Sequence, residues 1–175
     1  MQGMNKKAVV LVENLFEDHE LIYPYYRLIE AGADTRLVGP EAGKTYTGKN
    51  GTRATSGLAA KDADAKDLDA LIIPGGYAPD HMRRHRSMVD LVREVHEQGK
   101  VVAAICHAGW MLASAGIVQG RRLTSFFAIK DDLVNAGAQW EDAEAVTDGN
   151  LVTSRKPDDL PAFMRSVLTL LGWSG

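Results

Sequence analysis

The sequence predicts an α/β protein built on a mainly parallel sheet with helices on both faces. Three observations carry that reading. Short apolar runs recur along the chain at Lys7–Val12, Leu71–Ile73 and Val101–Ile105, and Thr35–Val38 and Leu151–Ser154 read as further strands. Amphipathic stretches of helical period lie between most of them. The apolar runs are continuous rather than alternating, the pattern of strands covered on both faces. The 175 residues suffice for one domain, taken as residues 1–175, and no internal repeat or linker divides them.

Each element has its own signal. Lys7–Val12 reads as the first strand. Leu21, Ile22, Tyr25, Leu28 and Ile29 recur at helical spacing between Glu17 and Ala31, with Gly32 as C-cap and Pro24 expected to kink or weaken the helix. Tyr46–Thr55 is a hairpin about Lys49-Asn50-Gly51, where Asn-Gly supplies the turn. Leu71–Ile73 is stopped by Pro74-Gly75-Gly76. Ser87–Gln98 is an amphipathic helix with Met88, Leu91, Val92 and Val95 on one side, closed by Gly99. Helices are also expected over Trp110–Ala115, over Ile129–Asn135 and from Asp158 or Asp159 to Leu171. In such sheets ligands sit at the carboxyl ends of the strands. This selects Val12–Glu17, Pro74–Asp80 and Cys106–Gly109.

Composition narrows the function classes. Twenty Lys and Arg against 23 Asp and Glu give a net charge of −3, which argues against a whole-domain nucleic-acid footprint. No run reaches the roughly 18 apolar residues of a membrane span. Met1–Lys7 lacks a signal-peptide pattern, so the expected location is cytoplasmic. A single cysteine excludes an internal disulfide and a cysteine-based zinc site. His81 and His85 stand four apart in a basic patch with no third ligand at a recognisable spacing, so no metal is expected. The patch reads as a solvated face or an anion or subunit contact. No cofactor motif is present. Tyr23, Tyr25 and Tyr26 read as core or dimer packing.

Cys106 sits where a buried strand meets a helix, in Ala104-Ile105-Cys106-His107-Ala108-Gly109. A nucleophile elbow needs small residues two before and two after, and Ala104 and Ala108 provide them. A helix N-terminus also favours thiolate. The alternative is a small buried hydrophobe. His107 is a general base, an electrostatic neighbour or a helix-start residue. Glu17 reaches the thiol if the first strand and Val101–Ile105 are sheet neighbours, and when protonated it would donate to a thiolate. Taken alone, the segment reads as an acidic first turn. Gly76, with positive φ open to it, and His107 are candidates for oxyanion N–H donors.

Five segments together resemble the PfpI family, the intracellular cysteine peptidase-like proteins of the superfamily that includes Parkinson-disease deglycase-like proteins and class I glutamine amidotransferases. They are Phe16–Tyr25, Pro74–Asp80, Ala104–His107, Ile129–Asp132 and Thr153–Leu160. The resemblance implies a flavodoxin-like three-layer sandwich. It implies Cys106 as elbow nucleophile, Glu17 as its carboxyl partner, and Gly76 and His107 as oxyanion donors. It further implies His107 as a triad histidine whose acid comes from a neighbouring subunit. That acid falls at Asp80, one methylene shorter than the family's Glu. Phe126 stands where members often carry Tyr, and Phe126 and Tyr77 are the substrate-pocket candidates. The implied function is a cysteine-dependent stress enzyme acting on small reactive carbonyls or glycated groups. The alternatives are an intracellular cysteine peptidase and a non-enzymatic redox sensor or holdase. The implied partners are small carbonyls or glycated or unfolded protein, and further copies of the chain as a dimer or ring of dimers.

Overall fold

The computed structural model describes residues 5–173, so the expectations that rest on Met1–Met4 and on the last two residues lie outside it. The strands are β1 (Lys7–Leu11), β2 (Asp34–Gly39), β3 (Thr45–Thr47), β4 (Arg53–Thr55), β5 (Leu58–Ala59), β6 (Ala70–Ile73), β7 (Val101–Ile105), β8 (Arg122–Leu123), β9 (Gln139–Trp140), β10 (Val146–Asp148) and β11 (Leu151–Ser154). The helices are α1 (Asp18–Glu30), α2 (Ala78–Met82), α3 (Arg86–Glu97), α4 (Gly109–Ala115), α5 (Lys130–Asn135) and α6 (Leu160–Leu170).

Seven strands form one sheet in the order β10-β11-β7-β6-β1-β2-β5, parallel except at β10. β1, β6 and β7 are buried almost throughout, which is why their sequences run apolar without alternation. Helices take the two faces. On α3, the apolar stripe Met88, Leu91, Val92 and Val95 is buried, each side chain contributing about 2 kcal/mol by its removal from water. The α/β class, the strands and the Asn-Gly hairpin of β3 and β4 stand as expected. α1 continues through Pro24 as one element, with Pro24, which has no N–H to donate, on its buried face. The short α2, β8, β9 and β10 have no counterpart in the sequence reading, because two to five residues show no period.

The chain leaves β1 toward β2 on one side and places β6, β7 and β11 on the other. The strand order therefore reverses between β1 and β6, and a crevice opens beyond their carboxyl ends. An isolated bridge between Phe16 and Gly76 ties the two loops together at that point. Glu17 N–H donates to Gly75 O at 3.1 Å, and Tyr77 N–H to Leu15 O at 2.9 Å.

No described helix is long and apolar enough to cross a membrane.

A candidate active site around Cys106

Cys106 follows β7 directly and adopts a φ of 63°. An L residue pays a steric cost there that only its surroundings can impose, and such strain gathers at functional positions. Ala104 and Ala108 are both buried, as an elbow requires. A 3-10 turn over Cys106–Ala108 then feeds α4. The cysteine is 8% exposed, so its sulfur is neither sealed nor open.

The carboxyl group facing the thiol belongs to Glu20, not Glu17. Glu17 is the N-cap of α1, and its Oε2 accepts from the Glu20 N–H at 2.9 Å. Its Oε1 lies 3.3 Å from His19 Nδ1. The condition set on Glu17 also fails: β6 lies between β1 and β7, so the strands are not neighbours. One turn into α1, Glu20 is 0% exposed and its Oε1 accepts from the Gly75 N–H at 2.9 Å. Its Oε2 is buried without a hydrogen-bond partner. The signal for Glu20 was present in the sequence. It falls on the buried face of α1 with Leu21, Pro24 and Leu28, and a carboxyl on an apolar helical face is a marked position.

Gly75 is the hinge of this arrangement. A Cβ there would come within 2.6 Å of Glu20 Oε1 and 2.8 Å of the Cys106 Cβ. The absence of a side chain lets the acid and the thiol close on one another. Gly76, at a φ of 76°, would meet Glu17 N at 2.5 Å.

The electrostatics follow from burial. Desolvation, with the Glu17 charge second, pushes the Glu20 carboxyl up to about 8. Desolvation and then Glu20 push the thiol up to about 12, while the nearby backbone N–H groups of His107 and Gly76 pull it down. The expectation of a thiol acidified by a helix N-terminus is corrected here: burial outweighs it. Two acids this close in a low-dielectric site titrate as a pair. Taken singly Glu20 is the stronger acid; once the pair has lost one proton the remaining proton is shared, and the reactive form is the one with Glu20 protonated and the charge on sulfur, beside the backbone N–H groups of His107 and Gly76.

His107 Nδ1 is 3.2 Å from Cys106 Sγ, so the adjacent residues do meet. Burial lowers the His107 pKa, which keeps the imidazole neutral. Its ring stacks on Phe126 at 4.8 Å and meets Trp110 edge-on at 5.3 Å. Phe126 N–H donates to Cys106 O. Phe126 also lines a cleft of about 490 Å³ with Phe127, Trp140 and Arg155. Tyr77, 64% exposed, stands at the start of α2. Asp80 pairs with Arg84 one turn along and makes no bond to His107 within the chain. In the basic patch, His85 Nε2 lies 3.0 Å from Glu13 Oε2. No group of three or more potential metal ligands occurs among the described residues.

The chain is similar to known proteins over nearly its whole length. A deglycase from Pyrococcus horikoshii is 46% identical over 94% of this chain and 99% of its own. Protein/nucleic acid deglycase 2 of Escherichia coli is 42% identical over 97% of this chain and 99% of its own. A crystal structure of an Anabaena variabilis protein with DJ-1/ThiJ/PfpI-like and ferritin-like domains superposes with a TM-score of 0.96 at 42% identity. That match covers 97% of this chain and 49% of the two-domain protein. With residues 6–170 matching the family pattern as well, the chain belongs to the DJ-1/PfpI family.

Proposed function

We propose that this protein is a cysteine-dependent enzyme acting on small reactive carbonyls or glycated groups, of the deglycase or glyoxalase kind. The observation that carries this reading is a cysteine sulfur on a strained elbow, set against a buried acid that keeps its proton at neutral pH. The names of the relatives point the same way.

In this mechanism the thiol first gives up its proton to solvent, and the thiolate attacks the carbonyl carbon with Glu20 protonated. An S–C bond forms, and the carbonyl π pair moves to oxygen beside the N–H groups of Gly76 and His107. The Glu20 proton passes to that oxygen, leaving a neutral hemithioacetal and a carboxylate. Neutral His107 is placed to move a proton between the two carbons of a dicarbonyl adduct. Water then cleaves the resulting thioester, releasing the acid and restoring the thiol. The peptidase alternative needs Asp80 to leave Arg84 and reach His107 across a subunit contact. A homo-oligomer belongs to this same proposal, and Tyr23, Tyr26 and Ile29 on α1 are its exposed apolar candidates.

The test is to incubate the protein with methylglyoxal and, in parallel, with unfolded casein. Methylglyoxal loss matched by lactate is expected, with casein left intact. Casein cleavage without lactate would replace this reading with the peptidase one, and lactate at the buffer rate would defeat it.

A further inference from the structure

The hairpin of β3 and β4 lies outside the central sheet, yet its tip is fixed against the site. Asp18, a buried carboxylate of α1, accepts from Asn50 N–H and Thr52 N–H, each at 3.0 Å. These bonds, with one from the Thr52 side chain, hold its pKa below the usual carboxylate value against desolvation. Lys49 N–H donates to Phe16 O at 2.9 Å. Phe16 is itself bridged to Gly76. Gly48 packs so closely that a Cβ would come within 2.7 Å of Asp18 Oδ1 and 2.8 Å of the Phe16 ring. The buried carboxylate and these contacts fix the hairpin tip, and Lys49 in it, next to Phe16, the residue bridged to Gly76.

Lys6, Lys44, Lys61 and Lys100 form ion pairs, and Lys49 is not among the paired lysines of the described residues. Its side chain is exposed. Its charge is nonetheless felt inside the site, where it lowers the pKa values of Glu20, Cys106 and His107. Glu20, the carboxyl of the site whose pKa it lowers, holds its proton at neutral pH and so does not neutralise it. An unpaired ammonium at the mouth of a reactive thiol attracts anionic reagents.

We propose that Lys49 is the anion-selecting residue of the Cys106 site and favours carbonyl substrates that carry a carboxylate on the carbon next to the one attacked. This rests on the thiolate reading of the site. It narrows the substrate class from small carbonyls in general to 2-oxo acids and anionic carbonyl adducts. The anchoring contacts are made by the hairpin backbone, so the Lys49 side chain can be changed without releasing the tip.

The sole cysteine of the chain permits a test that needs no turnover. Iodoacetate carries a carboxylate beside its electrophilic carbon, and iodoacetamide is its neutral analogue. With either reagent an S–C bond forms, iodide leaves with the bonding pair, and the thiol proton is released to solvent. The ratio of the two Cys106 alkylation rates is measured by mass spectrometry in the native protein, Lys49→Met and Lys49→Arg. At low salt the iodoacetate-to-iodoacetamide ratio is expected to fall about tenfold in Lys49→Met and to be kept in Lys49→Arg. An unchanged ratio in Lys49→Met would overturn the proposal. So would an equal slowing with both reagents, which would mean that Lys49 acts on the thiol and not on the reagent. Because the thiol is read directly, a protein that converts no methylglyoxal still answers the question.

Discussion

Alanine at position 106 is expected to reduce methylglyoxal turnover by roughly 10³-fold or more, since it removes the atom that forms the covalent bond. Serine should do no better, because a hydroxyl in the same buried place ionises far less readily than a thiol. Stability tests the strained elbow itself. Cys106 is held at a φ of 63°, a conformation that glycine enters without penalty. Cys106→Gly is therefore expected to be as inactive as Cys106→Ala yet more stable than it by about 1 kcal/mol in urea unfolding. A cysteine in an ordinary backbone conformation would give the opposite order, since glycine would only enlarge the cavity and loosen the chain. Activity retained in Cys106→Ala would end the enzymatic reading.

Exchanging the two glutamates of the α1 entrance should give opposite results. Glu20→Gln keeps an oxygen for the Gly75 N–H but has no acidic proton to share with sulfur, so turnover is expected to fall by about 10²-fold. The same variant should be more stable at pH 8. Glu20 is raised from 4.5 to about 8, so the folded state binds its proton more tightly than the unfolded chain does. The stabilisation is complete below pH 4.5 and is lost as pH rises toward 8, a span on the order of 4 kcal/mol that a neutral amide escapes. Glu17→Gln weakens a helix cap and removes a charge that disfavours the Glu20 carboxylate. Its expected cost is about 1 kcal/mol of stability, with turnover kept within a few-fold. The reverse ranking of the two variants in a methylglyoxal assay would restore Glu17 as the partner of the thiol.

Much of this site was legible before folding. The small residues around Cys106 and its place after a buried run identify the elbow, because a strained turn excludes bulk on either side. Gly76 and His107 follow from the same geometry, as the loops after β6 and β7 end side by side. Asn-Gly gives away the hairpin. Glu20 carried a signal, its place on the apolar face of α1, that was masked because Glu17 and Glu20 share one acidic segment. The N-cap geometry settles which carboxyl caps the helix and which turns inward, one helical turn later. Lys49 was hidden for a different reason. As a turn residue it carries no periodic signal, and its position depends on Asp18, more than thirty residues earlier in the chain. The raised thiol pKa was likewise out of reach, since desolvation depends on how completely α1 covers the strand ends.

The pH profile of Cys106 alkylation by iodoacetamide, in the native protein and in Glu20→Gln, tests the sharing of one proton between sulfur and Glu20 most directly. In the native protein the rate should rise as the pair loses its first proton near pH 8 and then level off through pH 10, because the second proton is held to about 12. In Glu20→Gln the plateau should vanish, and the rate should climb steadily as an isolated buried thiol ionises. Superimposable profiles for the two proteins would show that the carboxyl and the sulfur titrate independently, and would contradict the account.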